Sequence, residues 1–216
     1  MAKEKVEVLE KLANAKTVRI GEFEVPVGAD GKPDFDLLAV RLMHEAAEKQ
    51  PEAGLIRLSG PLEHDNIVNG DGLRAVVWTQ GCPNHCKGCQ NPETWDFAAG
   101  FTVPTEEICQ RLSEFPGQAG VTFCGGEPFA QPRACLEIAR FVREKLGWNV
   151  WSFSGFTYEQ IMMAGGEFVE FLKSLDALID GRFILKERDL SLKYRGSRNQ
   201  RLLHLEAGTA KIKSIE

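Results

Sequence analysis

Long hydrophobic runs are missing from this 216-residue sequence. None reaches the roughly 18–20 apolar residues that a membrane-crossing helix needs, which excludes a helical span. An excess of positive charge is missing too. Lys and Arg number 26 against 31 Asp and Glu, for a net charge of −5, and this argues against a general nucleic-acid binder. A leader is not evident: Met1 to Lys11 alternate Lys and Glu with few apolar residues, unlike a signal or transit peptide. The expected compartment is therefore the cytoplasm, with no membrane and no nucleic-acid partner. Internal repeats and low-complexity tracts are also absent. In the cytosol the six cysteines are not expected to form disulfides.

What is present is an ordinary globular composition, 43% hydrophobic and 26% charged, enough to bury a core. The chain changes character near Pro51–Gly60. Before it, Val6–Leu12 suits a short helix and Thr17–Val27 a strand pair. Ala29 to Pro33 reads as a turn. Phe35 to Glu48 carries apolar residues at helical spacing behind Asp34, a plausible N-cap. The expected division is an α+β extension over residues 1–55 and a main domain over 56–216. In the main domain Leu73–Thr79, Gly120–Cys124 and Asn149–Phe153 read as buried strands. They alternate with helices over Thr105–Phe115, Pro132–Leu146 and Tyr158–Leu175, the last continuous or restarted. Thr105 with two following glutamates suggests a side-chain cap, and Gly147 a helix end. Strand–helix alternation predicts a mainly parallel sheet with its chemistry in loops at the carboxyl ends of strands.

Three cysteines lie in one such loop, Gln80-Gly81-Cys82-Pro83-Asn84-His85-Cys86-Lys87-Gly88-Cys89-Gln90. The count is the informative part. Structural zinc sites close with four ligands, and ordinary cubane clusters take four cysteines. Three thiolates leave one iron of a [4Fe–4S] cluster open for chemistry. The alternative is zinc completed by His85 or a distant residue, at a spacing unusual for zinc knuckles. A second loop, Cys124-Gly125-Gly126-Glu127-Pro128, follows the next strand. Its two glycines permit close backbone approach to a ligand, though a Gly-Gly pair alone is also a plain turn.

The C-x3-C-x2-C loop after a buried strand resembles the radical S-adenosylmethionine superfamily. That resemblance implies that Cys82, Cys86 and Cys89 hold a [4Fe–4S] cluster whose open iron chelates S-adenosylmethionine. Reductive cleavage would then yield a 5′-deoxyadenosyl radical. The second loop resembles the superfamily's motif for the methionine ammonium, which implies cofactor contacts at Gly125, Gly126 and Glu127, with Gly88, Cys89 and Gln90 beside the cluster. Ser154 could sit on the same rim; the bland reading there is a helix cap by Thr157. Trp95 reads as packing under the cysteine loop.

Four further segments narrow the resemblance: Val68 to Arg74, Asn91 to Trp95, Asp180 to Phe183, and Tyr194 to Arg201. With the two main motifs they resemble the activating protein of anaerobic (class III) ribonucleotide reductase, over about Gly60 to Leu205. The resemblance implies a shortened, open (β/α) partial barrel and abstraction of a glycine Cα hydrogen from a glycyl-radical enzyme. It also implies a flavodoxin-type or similar electron donor. Arg195, Arg198, Asn199, Gln200 and Arg201 would dock the partner; a solvated basic face is the plainer reading of the same residues. Two different functions also fit the cysteine loop. One is a radical enzyme of the same branch acting on another glycyl-radical enzyme or a peptide, and the other is a non-catalytic iron–sulfur electron carrier. Cys124, Cys109 and Cys135 read as buried free cysteines or helix residues without a cluster role.

Overall fold

The computed structural model describes residues 10, 12, 14–21 and 23–216. The expected helix over Val6–Leu12 lies outside the described residues apart from Glu10 and Leu12. Strands β1 (Thr17–Ile20) and β2 (Phe23–Pro26) form an antiparallel hairpin, Thr17 opposite Pro26. Helix α1 (Phe35–Ala47) starts where expected: Asp34 is extended, and its carboxylate accepts from the Leu37 amide at 2.9 Å. Val40, Met43 and Ala47 on α1 share one hydrophobic core with the rest of the molecule. Gln160 donates to Asp36 at 2.9 Å and Gln50 to Glu167 at 3.3 Å, tying the same region to later helices.

The nine other strands make one mixed sheet. They are β3 (Leu55–Leu58), β4 (Glu63–Asn66), β5 (Arg74–Thr79), β6 (Phe101–Pro104), β7 (Gly120–Gly125), β8 (Asn149–Phe153), β9 (Ala177–Asp180), β10 (Arg201–Glu206) and β11 (Lys211–Ile215). Their order is β11-β10-β9-β8-β7-β5-β3-β6, with β4 also on β5. The centre, β5-β7-β8-β9, is parallel. Its strands are buried and read as near-continuous apolar runs, as sheets covered on both faces require. The flanks are antiparallel: β10 on β9, β11 on β10, β3 on β5 and β6 on β3. Strand–helix alternation predicts a mainly parallel sheet, and the parallel part is confined to these four strands. The β10–β11 pair is joined by a short turn, and strands so joined can only pair antiparallel.

Helices α2 (Thr105–Ser113), α3 (Pro132–Phe141), α4 (Tyr158–Ala164) and α5 (Gly166–Lys173) complete the crossovers. Thr105 does not cap α2. Its hydroxyl bonds instead to the Gly54 carbonyl and to Glu137, and Pro104 holds the cap position. The α3 helix runs into a π-turn, Val142–Leu146, that ends at left-handed Gly147, φ 67°. Gly165, at φ 68°, separates α4 from α5. The core between helices and sheet is aromatic: Phe171 meets Phe123 edge-on at 5.4 Å and Phe129 at 4.8 Å.

Arg74 is wholly buried at the amino end of β5. It donates to Thr122, to Asn149 at 2.7 Å and to the Val121 carbonyl at 2.7 Å, and lies over the Trp151 ring. Burial lowers its affinity for a proton, to a pKa of about 10. A side chain at Gly70 would collide with Arg74 and Trp151 at 2.7 Å. The Asn69-Gly70-Asp71-Gly72 segment thus packs this arginine at the end of the sheet opposite the cysteine loop.

Candidate functional site

The carboxyl ends of β5, β7, β8 and β9 release four loops on one edge of the parallel sheet: the cysteine loop, Gly125 to Pro128, Ser154 to Thr157, and Gly181 to Phe183. Backbone contact between the first two is close. The Gly126 amide donates to the Thr79 carbonyl at 2.8 Å, and the Glu127 amide to the Gly81 carbonyl at 2.9 Å. A Cβ on Gly126 would lie 2.6 Å from the Gly81 oxygen, and one on Gly125 2.7 Å from the Thr79 oxygen. Glycine is therefore required at both positions by the neighbouring strand and loop, whatever they bind.

These loops line a cavity of about 850 Å³, within the range of small-molecule sites. Cys82, Cys86 and Cys89 line it, as do Gln90, Gly125, Gly126 and Ser154. Glu127 lies in its wall at 1% exposure. Gly88 is not in the lining; at φ 79°, it packs against Leu185. The three thiols open onto one space without converging. Among the described residues no group of three His, Cys, Asp or Glu side chains is close enough to hold a single metal ion. All six cysteines are free, and burial pushes the Cys82 thiol up to about 12, with the Glu127 charge adding. The Cys89 sulfur accepts from the Asn91 amide at 3.4 Å. Trp95 stacks on His85, centroids 4.9 Å apart and planes 18° apart, and also lines the cavity.

Cys124 departs from the expectation of a buried cysteine. It is only partly buried and lines the same cavity, its thiol pushed up to about 12 by burial. Cys109 and Cys135 are buried in α2 and α3.

Ser154 and Thr157 share the work between them. Thr157 forms a full capping box with Gln160, the bland reading of this segment. Ser154 donates to Glu127 at 3.0 Å. Glu127 also accepts from the amides of Phe129 at 3.1 Å and Gly155 at 2.8 Å, and from Asn84 at 3.2 Å. Burial raises Glu127 to about 7, and the bonds from Gly155, Phe129 and Ser154 oppose the shift.

The residues expected to dock a partner separate into different roles. Arg201 clamps buried Asp180 and reaches Glu159 at 2.7 Å. Gln200 donates to the Gly181 carbonyl at 2.9 Å and accepts from the Gly196 amide, and Asn199 donates to the Arg182 carbonyl at 2.8 Å. Gln200 and Arg195 line the cavity. Arg198 is the open cation of the group, its side chain 60% exposed beside Asp189. Asn84 and Arg182, absent from the expected site, join these loops: Arg182 donates to the Asn84 carbonyl. No local pattern marks them, since Asn in a cysteine loop reads as a turn residue.

A loop of three thiols faces a cavity beside a glycine-rich crossing. Residues 68–203 match the family model described as a 4Fe-4S single cluster domain, and the chain belongs to that family, within the radical S-adenosylmethionine enzymes. Its branch is that of the anaerobic ribonucleoside-triphosphate reductase-activating proteins. The one from Pasteurella multocida is 33% identical over 62% of this chain and 89% of its own length. The one from Enterobacteria phage T4 is 36% identical over 63% and 87%. A pyruvate formate-lyase-activating enzyme from Clostridium pasteurianum is 32% identical over 55% of this chain, but only 49% of its own. The crystal structure of QueE from Escherichia coli aligns at a TM-score of 0.37 and 17% identity, over 52% of this chain and 57% of that one, too slight a likeness to bear on the fold. The hairpin and α1 precede the matched residues.

Proposed function

We propose that Cys82, Cys86 and Cys89 hold a [4Fe–4S] cluster as its three protein ligands, with S-adenosylmethionine at the remaining iron. The protein is then an activase that takes a hydrogen from a glycine Cα of anaerobic ribonucleotide reductase. The observation that carries this is the shared cavity: the thiols of one loop and the Gly125-Gly126 backbone of another line a single space. A pure electron carrier needs no ligand cavity beside its thiols. Bound there, a cluster reduced by an external donor and S-adenosylmethionine would supply one electron and cleavage of the sulfonium S–C5′ bond, leaving oxidised cluster, methionine, 5′-deoxyadenosine and a glycyl radical on the partner.

The chain's own residues bind and orient. Gly125 and Gly126 line the cavity, and Gln90 and Ser154 add polar groups to the same wall. Ile67, Val68 and Leu190 line the cavity and are strongly exposed, which suits entry of a peptide loop. Arg198 remains the residue suited to partner docking, and a flavodoxin-type protein to electron donation. The architecture reads as an open, shortened (β/α) barrel over residues 56–216 with the extension before it.

The test is to reconstitute and reduce the protein, add S-adenosylmethionine and anaerobic reductase, and record the electron paramagnetic resonance spectrum. A glycyl doublet is expected, with none from a Cys89→Ala variant. The pyruvate formate-lyase-activating relative motivates a second reading, in which the partner is another glycyl-radical enzyme. A doublet on a formate-lyase but not on the reductase would select it.

A further inference from the structure

A carboxylate offers two oxygens and about four acceptor positions. At Glu127 all of them are taken. One oxygen accepts from the Phe129 amide and the Ser154 hydroxyl, the other from the Gly155 amide and the Asn84 side chain. The group is 1% exposed, with nothing left over to receive a cofactor ammonium.

The most distant of these donors belongs to the cysteine loop itself. Asn84 lies between Cys82 and Cys86 and is 6% exposed. Its side chain fills a slot that exists only because residue 155 is glycine: a Cβ there would sit 2.4 Å from the Asn84 amide nitrogen. On its other side the Asn84 carbonyl accepts from Arg182. The Arg182 carbonyl in turn accepts from Asn199 at 2.8 Å, whose side-chain oxygen accepts from Ser197 at 2.7 Å. A continuous line of hydrogen bonds therefore runs from Glu127 through Asn84 and Arg182 to Asn199.

We infer that Asn84 is a positioning residue, gripped by Glu127 from one side and Arg182 from the other, which fixes the cysteine loop against the cofactor cavity. Glu127 serves that grip and leaves the ammonium to backbone carbonyls. The residues from Ser197 to Gln200 act at a distance, as the far end of the clamp. Anything that moves this segment, including a partner seated beside it, shifts the loop that carries the thiols. The consequence for a cluster rests on the ligand reading proposed above; the clamp itself does not.

Arg182 is exposed, so its replacement spares the core. In the metal-free protein, Arg182→Ala should speed hydrogen exchange at the Cys82 and Cys89 amides by about tenfold, the effect of one lost hydrogen bond. Those amides are bonded to the Trp95 and Cys86 carbonyls. Exchange at Val121 and Val150 in the central strands should not change. After reconstitution with iron and sulfide, Arg182→Ala should shift the paramagnetic resonance spectrum of the reduced cluster, and Arg182→Lys should return it towards wild type. Wild-type exchange at both cysteine amides together with an unshifted spectrum would overturn the inference. Failure of the wild type to take up four irons would instead remove the ligand assignment, and the exchange measurement on metal-free protein would still decide the clamp.

Discussion

Arg201 closes over Asp180. Its Nε donates to one carboxylate oxygen at 2.9 Å and its Nη2 to the other, while the Asp180 side chain is only 1% exposed. The same guanidinium reaches Glu159, and both acids hold its proton more tightly than usual. An arginine so engaged is a fold element before it is a docking residue. Removing it leaves a buried carboxylate with the Tyr158 amide as its remaining donor among the described residues. Arg201→Ala should cost about 3 kcal/mol of stability. For a chain of this size that is a fall of roughly 6–12 °C in Tm. An Arg201→Ala protein that melts like wild type but fails to activate its partner would restore the docking role.

Glu127 gives a pH signature in metal-free protein. Its folded value of about 7 lies above the ordinary 4.5, with burial as the largest cause. Between those values the folded state binds more protons than the unfolded one, so this group's contribution falls as pH rises through the window. It is fully present below 4.5 and gone above about 7. The difference in Tm between wild type and Glu127→Gln should therefore move steadily against the wild type from pH 4.5 to 7. Parallel curves would show that Glu127 does not titrate there.

The local parts of this site are readable from sequence, and the reason is physical. Cys82, Cys86 and Cys89 fall within one turn-rich loop, and Gly125 ends a six-residue strand with Gly126 directly after it, so spacing alone places them. The Asp34 cap is local in the same way, whereas the helix after Tyr158 could be read as continuous or restarted and is split at Gly165. Arg201 reads as a surface residue because its partners, Glu159 and Asp180, lie on other elements. Thr105 carries a capping pattern, yet Glu137 from α3 and the Gly54 carbonyl compete for its hydroxyl and win. The clamp through Asn84 has no local signature, since its slot is made by a glycine on β8's loop and its second bond by an arginine beyond β9.

Gly126 tests the crossing of the two loops. An added methyl would meet the Gly81 carbonyl at 2.6 Å, a backbone atom that cannot rotate away. Gly126→Ala should cost about 1–3 kcal/mol and push the glycine-rich loop off the cysteine loop. Weakened binding of S-adenosylmethionine, measured by equilibrium dialysis against reconstituted protein, is expected together with a lower Tm. Unchanged affinity would mean that the loop contact has no bearing on the cofactor.

Cys124 tests the ligand count, because it is the fourth thiol on the cavity wall. Cys124→Ser should retain four irons and four sulfides per chain after reconstitution, while Cys82→Ala, Cys86→Ala and Cys89→Ala should each lose them. If Cys124→Ser lost the cluster as completely, the site would be a closed four-thiolate centre without an open iron, and the case for a radical enzyme would weaken accordingly.

Arg195 belongs by sequence with the docking arginines, yet it faces inward. It lines the cavity, and its Nε is buried with no hydrogen-bond partner among the described residues. An unsatisfied buried donor on a cation is costly, and an anionic ligand group in the cavity would satisfy it. The carboxylate of S-adenosylmethionine is such a group, and a guanidinium can meet it with a two-pronged bond. Arg195→Ala should therefore raise the Kd for S-adenosylmethionine by about tenfold or more, in keeping with a charged hydrogen bond, and leave the iron content intact. Arg195→Lys keeps the charge but not the fork and should recover only part of the loss. Unaltered affinity in Arg195→Ala, with partner activation abolished, would place the residue at the docking surface after all.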